Sequence, residues 1–225
     1  MKKVALNDLL IKLESGSRPR GGVVEKGIPS LGGQHISSDG TYALEDLKFI
    51  SEEYFYSIKK GIIEKDDILI VKDGATTGKI AFIDENYPFK KSAINEHLFK
   101  LRVDSNKVIP KYVYYYLLSK KGNHELMKDF RGATVGGITR NFVRFVNVPL
   151  PENKETQLKI VYILDISKNL IEKRKAQIEA LDQLTQSVFL EMFGDPKLNK
   201  KNWKKQKLND VCLRKGEYGS GSSAI

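Results

Sequence analysis

The stretch TQLKIVYILDISKNLIEKRKAQIEALDQLTQSVFLEMF, Thr156–Phe193, holds no proline or glycine, and Gly194, Asp195 and Pro196 close it. Two prolines in the preceding VNVPLPENKE, residues 146–155, mark an extended approach and a helix start. The pattern predicts one long helix, about 57 Å if continuous at 1.5 Å per residue. Ile160, Leu164, Ile171, Ile178, Leu181, Val188 and Met192 recur at helical spacing, with Ile163, Leu170 and Leu184 widening the stripe. Glu172, Lys173, Lys175, Glu179 and Asp182 fill much of the other face. A helix this long cannot hide such a stripe against a domain of ordinary diameter. Part of it is expected to meet a second helix in a coiled coil through Leu164, Ile171, Ile178, Leu181, Leu184, Val188 and Met192. A kinked pair of core helices would use the same apolar residues, and Arg174 and Thr185 leave the heptads imperfect.

The residues before this helix read as mixed α and β. Asn7 or Asp8 is placed to cap a short helix through Leu13, and SGSRPRGG after it is loop. Strands are expected at Leu47–Ile50, Ile68–Lys72, Lys79–Ile83, His97–Val103 and Val143–Val148. Pro110 suits a first helical turn, and KYVYYYLLSKKGNHELMKDF reads as one helix or two. On a helix, Tyr112, Tyr114, Tyr115 and Tyr116 are either core or a base-stacking platform.

Three loops carry side chains suited to binding. KDGATTGK, residues 72–79, invites comparison with a phosphate-binding loop but departs from it. Only three residues separate Gly74 from Gly78, and Ile80 stands where a magnesium-binding hydroxyl is needed. What remains is a turn between two strands that is either a bare hairpin or one presenting Lys72, Thr76, Thr77 and Lys79 to a phosphate backbone or base edge. In RPRGG and SLGGQHI, Arg18 and Arg20 flank a proline and Gln34 and His35 follow two glycines. Arginine and glutamine have the fork geometry that reads guanine and adenine edges in the major groove. RGATVGGITRNF, residues 131–142, offers Arg131, Thr134, Arg140 and Asn141 to a DNA backbone, or is a plain connection.

Charge sharpens the division. Residues 1–151 hold 24 Lys and Arg against 18 Asp and Glu, residues 152–193 hold 6 against 7, and residues 194–225 hold 8 against 3. The net charge of +10 therefore skips the long helix. A basic globular part suits a polyanion, and a charge-balanced helix suits protein contact. The single cysteine, Cys212, excludes an internal disulfide framework, and no signal-like or membrane-spanning run occurs. A cytoplasmic location is expected. His35, His97 and His124 lack metal-ligand spacing, so no metal site is expected; GxSxG, HExxH, GxGxxG and NPPY patterns are absent, so no catalytic residue is assigned. The chain also repeats its own opening: KKxxLND at Lys2–Asp8 returns at Lys204–Asp210.

Taken together, DDILIVKDGATTGKIAF (66–82), INEHLFKLR (94–102), the glycine-threonine stretch at 131–142, VPLPENKETQLKIVYIL (148–164) and LTQSVFLEMFGDP (184–196) occur in that order. In this the chain resembles the specificity subunit of type I restriction-modification systems. The junction departs slightly from the family's usual Glu-Gln pair, because Thr156 separates Glu155 from Gln157. The resemblance implies an α+β architecture: a DNA target-recognition domain at 1–151, a long dimerisation helix at 152–196 forming an antiparallel coiled coil, and a truncated start of a second recognition domain at 197–225. It implies a non-catalytic reader of one half of a bipartite site in double-stranded DNA. Its partners would be methyltransferase subunits and a restriction subunit, which would carry S-adenosylmethionine, ATP and magnesium, with none of these cofactors in this chain. Two copies are then expected to pair as a homodimer, and the closing segment is expected to be mostly disordered or loosely docked. The alternative is a non-catalytic coiled-coil assembly protein whose globular domain binds another protein.

Overall fold

The computed structural model describes residues 1–132 and 136–211. Thr134, Cys212 and the tail from residue 212 lie outside the described residues. The chain divides into two compact units, Met1–Ser167 and Lys168–Ile225. In chain order the described strands are β1 (Lys2–Ala5), β2 (Leu10–Ser15), β3 (Ile28–Leu31), β4 (Lys48–Ile50), β5 (Ile68–Val71), β6 (Ile80–Phe82), β7 (Ala93–Ile94), β8 (Leu98–Val103) and β9 (Asn147–Leu150). The helices are α1 (Glu52–Ser57), α2 (Pro110–Leu118), α3 (Lys120–Met127), α4 (Lys154–Phe193) and α5 (Leu208–Val211). The expected mixed α and β architecture with a long C-terminal helix is what forms.

The first unit is organised by an antiparallel sheet of order β2-β8-β5-β6. Its central run, Ile-Leu-Ile-Val, is buried on both faces, which is why it reads as continuous rather than alternating. Ile68 and Ile70 enter one core with Phe82, Phe99, Leu101, Tyr114 and Phe142. Leu69 and Val71 enter another with Leu31, Ile36, Ile63 and Ile94. A smaller sheet of order β4-β3-β7 contributes to this second side, its β3 and β7 being parallel.

Two expectations for regular elements fail for the same reason: tertiary pairing overrides local pattern. No helix runs from Asn7 to Leu13. Leu6–Leu9 makes one 3-10 turn that buries Leu6 and Leu9, and the chain then extends as β2. β5 occupies one edge of β8, and β2 covers the other from Leu10 opposite Val103 to Ser15 opposite Phe99. Likewise Val143–Val148 is not one strand. Thr139 Oγ1 accepts from Asn141 N–H and caps a 3-10 turn at Arg140–Arg144, which buries Phe142 and Val143. Pairing begins only at Asn147, opposite Ala5 of β1.

The tyrosine-rich segment forms two helices, broken at Ser119, whose hydroxyl accepts from Gly122 N–H. A Cβ at Gly122 would lie 2.0 Å from the Tyr116 carbonyl, so glycine allows the two helices to close on each other. Tyr112 and Tyr114 are buried and their hydroxyls donate to the carbonyls of Pro149 and Gly40. Tyr115 and Tyr116 donate to Asp165 and Glu125. These rings are core and scaffold, which removes the base-stacking alternative.

The helix α4 runs unbroken from Lys154, two residues before the expected start, because Asn153 Oδ1 accepts from Thr156 N–H at 2.8 Å. Its first turns belong to the globular unit. Gln157 is buried and accepts from Ile109 N–H at 3.0 Å, just ahead of Pro110, while Val161 enters the main core. Residues 169–193 are all exposed, and the expected seam runs from 37% exposure at Leu164 to 61% at Leu181. At the far end Gly194 turns with φ of 75°. Lys201 Nζ donates to the carbonyls of Glu191 and Met192, and Trp203 Nε1 to that of Phe193, covering the open end of the helix. The repeated motif recurs in structure as well: Leu6–Leu9 and Leu208–Val211, the same positions of the repeat, each form a single helical turn.

A buried charge network fixes the sheet. Asp67, fully buried, takes Arg102 Nε at 2.9 Å and Nη2 at 3.0 Å, and Lys100 Nζ lies 3.6 Å from Asp67 and 3.0 Å from Glu14. Asp67 also accepts from Glu64 N–H, and Lys100 donates to the Ile62 carbonyl. Burial works against ionisation of Glu14, but Gly61 N–H and Lys100 outweigh it and hold its pKa below the ordinary 4.5. The Asp67 side chain, with Glu64, pushes the Arg102 pKa upward. Asp67→Ala strips the central anion from two cations, and is expected to cost about 3–5 kcal/mol, read as a lowered midpoint of urea unfolding.

Candidate nucleic-acid interface

Antiparallel register decides where the candidate loops emerge. Val71 of β5 pairs with Leu98 of β8, Ser15 of β2 with Phe99, and Ile70 with Ile80 of β6. The ends of β2 and β5 and the starts of β6 and β8 therefore lie at one end of the sheet. Leu31 and Ile94, the paired ends of β3 and β7, join them, with Asn95 N–H bonded to the Leu31 carbonyl. The loops at 16–27, 32–35, 72–79 and 95–97 leave from this end.

The turn at 72–79 is built rather than slack. Val71 and Gly78–Lys79 exchange backbone bonds of 2.9 Å, and Thr77 Oγ1 donates to the Gly74 carbonyl at 2.6 Å. Gly78 has φ of 85°, and a Cβ there would sit 2.7 Å from Met127 Sδ, so α3 closes over a backbone that only glycine allows. Asn123 Nδ2 donates to the Gly78 carbonyl. Lys72 is tethered: its ammonium donates to Ser15 Oγ at 3.3 Å and lies 5.7 Å from the centre of the Phe99 ring. Thr76, Thr77 and Lys79 are half-buried in the turn.

The loop after residue 130 is zipped onto this turn. Arg131 and Gly137 exchange two backbone bonds of 2.9 Å, Ile138 N–H donates to the Lys72 carbonyl at 2.7 Å, and Gly74 N–H to the Gly136 carbonyl at 3.2 Å. Arg131 is exposed, 3.6 Å from the buried Asp129, whose other oxygen accepts from Thr139 N–H and Oγ1. Arg140 and Asn141 are exposed on the following 3-10 turn, Arg140 reaching back to the Leu13 carbonyl at 3.4 Å.

Of the first loop pair, Arg18 and Gln34 join this cluster. Gly33 packs against Val71 and Thr76, and Gly32 against Asn95 and Gln34, so Gln34 stands exposed beside the turn. Arg18 bonds Glu96 at 2.5 Å, over a cleft of about 220 Å³ that Ser30, Lys48 and Asn95 help to line. Arg20 is exposed and lines a separate cleft with Tyr54. His35 does not face outward. It is 1% exposed, its Nδ1 accepts from Gly32 N–H at 2.8 Å, and its Nε2 donates toward the Asp46 carbonyl at 3.4 Å. The short turn at Gly33–His35 rotates it inward, so its part is to hold the Gly32–Gln34 loop rather than touch a ligand.

Sequence reasoning missed the acids and the histidine in the middle. Asp73 accepts from His97 Nδ1 at 2.5 Å, and His97 Nε2 lies 3.4 Å from Glu96 Oε1, the oxygen that also takes Arg18. The signal lay in INEHLFKLR, where three polar residues precede a buried strand at the loop-bearing end.

Residues 4–180 match the family described as type I restriction modification DNA specificity domain. The chain belongs to this family. Among relatives of this specificity domain are the specificity subunit of the type I restriction enzyme MjaVIII of Methanocaldococcus jannaschii, 26% identical over 68% of this chain and 34% of the relative. That of HindI from Haemophilus influenzae is 26% identical over 60% of this chain and 29% of its own length. In fold, the specificity domain is similar to the type I restriction-modification S subunit of M. genitalium, with a TM-score of 0.56 and 17% identity over 89% of this chain and 46% of that one. The chain thus spans about a third of the length of these curated relatives and under half of that solved subunit.

Burial, the largest cause, lowers the pKa of His35 below its ordinary 6.5. Because the folded value is lower than the unfolded one, stability is fully retained above pH 6.5 and falls as pH drops below it. His35→Asn keeps an acceptor for Gly32 N–H without a titrating ring. It is expected to flatten the decline in unfolding midpoint as pH falls below the ordinary histidine value of 6.5, as read by urea denaturation across pH.

Proposed function

We propose that this chain is the non-catalytic, sequence-specific DNA-recognition subunit of a type I restriction-modification complex. The observation that carries the reading is the convergence of Arg18, Gln34, Lys72–Lys79 and Arg131 on one end of the sheet, in a chain of the specificity-domain family. Arg18 and Gln34 are the base-reading candidates. Lys72, Thr76, Thr77, Lys79, Arg131, Arg140 and Asn141 supply phosphate and sugar contacts. Residues 1–151 then read one half of a bipartite duplex site, and residues 197–225 begin a second recognition domain. In this reading the chain works with methyltransferase and restriction subunits in the cytoplasm, and the relatives' names, type I restriction enzyme specificity subunits, support its membership of a restriction enzyme complex. S-adenosylmethionine, ATP and magnesium belong to those partners.

Two copies pair through α4 as an antiparallel homodimer, an arrangement suited to a two-fold symmetric site. The exposed apolar stripe from Leu164 to Met192 supports this reading. Leu181→Asp places a charge in the seam and is expected to halve the mass seen by sedimentation at micromolar concentration. An unchanged mass would remove the pairing.

Duplex binding is tested by salt. With several phosphate contacts, affinity is expected to fall on the order of a hundredfold or more between 50 and 200 mM salt, measured by fluorescence anisotropy. Lys79→Ala should weaken all duplexes alike, whereas Gln34→Ala should change which adenines the reconstituted complex methylates. No duplex binding even with methyltransferase subunits present would favour an assembly protein whose globular domain binds another protein.

A further inference from the structure

Glu96 is an anion at the centre of a surface read as meeting a polyanion, and its geometry is specific. One oxygen, Oε1, takes Arg18 Nη2 at 2.5 Å and lies 3.4 Å from His97 Nε2. The other, Oε2, is buried without a hydrogen-bond partner. Asp73 holds His97 from its far side at 2.5 Å, so a continuous chain of contacts, Asp73–His97–Glu96–Arg18, ties the 72–79 turn to the arginine loop. The Arg18 side chain remains 61% exposed, so the guanidinium is still open to a ligand while it is held by Glu96.

A free guanidinium on such a surface attracts every phosphate equally and adds affinity without selectivity. One carboxylate on one of its nitrogens changes this. The pair is electrically neutral at a distance, while the remaining N–H groups keep their directions and the side chain loses rotational freedom. A partner that rewards direction rather than charge is a base edge with two adjacent acceptors, which guanine presents as O6 and N7. We propose that Glu96 is a specificity-determining positioning residue, which neutralises Arg18 toward phosphates and aims it at a guanine edge in the major groove. Glu96 itself touches no DNA in this arrangement. The inference rests on the DNA-reading function proposed above.

The test uses the full chain. A duplex is first selected from a random pool with the wild-type protein, and affinities for it and for a random-sequence duplex are then measured across ionic strength. Glu96→Gln should bind the random duplex several-fold more tightly, steepen its salt slope by about one phosphate contact, and lower the ratio of selected to random affinity. Arg18→Ala should lose about tenfold or more on the selected duplex and little on the random one. In the double variant the gain from Glu96→Gln should vanish. A Glu96→Gln protein that discriminates as wild type does, or a gain that persists without Arg18, overturns the proposal. Failure of the wild type to prefer any duplex would instead overturn the DNA-reading function itself.

Discussion

The pairing of β5 with β8 is the constraint on which the rest of the first unit depends. Both strands carry apolar residues on both faces, so hydrophobic burial alone discriminates poorly between one register and another shifted by two residues. The bidentate bond between Asp67 and Arg102, with Lys100 beside it, forms in the observed register and favours it. Charge therefore fixes the alignment that hydrophobicity leaves open. That alignment sets Val71 opposite Leu98 and brings the 72–79 turn beside Asn95, Glu96 and His97.

Once the register is set, the candidate interface is assembled mainly by backbone. Lys72 bonds Ile138 through its carbonyl, Gly74 bonds Gly136, and Asn123 of α3 holds Gly78. The candidate side chains ride on loops anchored to one another as well as to the sheet. His35 shows the division of labour: it is spent on the loop's shape, and the adjacent Gln34 is left outside. A buried neutral imidazole is a rigid support only while it stays neutral.

The parts of this architecture that were legible in the sequence share a local cause. The strands at Ile68–Val71, Ile80–Phe82 and Leu98–Val103 are dense apolar runs bounded by turn residues, and α4 lacks any breaker between its cap and Gly194. The failures are long-range. Leu10–Ser15 is a strand because β8 needs a partner, β3 and β7 pair in parallel across a long separation, and Lys100 is buried because Glu14 and Asp67 await it. In the candidate interface, loop identity was legible, since Gly, Arg, Gln and Lys cluster in three stretches. Orientation was not: no local pattern separates the inward His35 from the outward Gln34, or joins Asp73, Glu96 and Arg18 from three different loops.

The long helix α4 carries a mechanical consequence. Up to Val161 it is braced by the Gln157 bond and by core packing, but from residue 169 to Phe193 every residue is exposed. Among the described residues that segment draws on its own backbone bonds, side-chain contacts and the cover at its end to resist fraying, and isolated helices are marginal in water. Its stiffness is then not a fixed property of the single chain. Under the pairing proposed above, covering the apolar face would stiffen this stretch of helix, which would stay compliant in the unpaired chain.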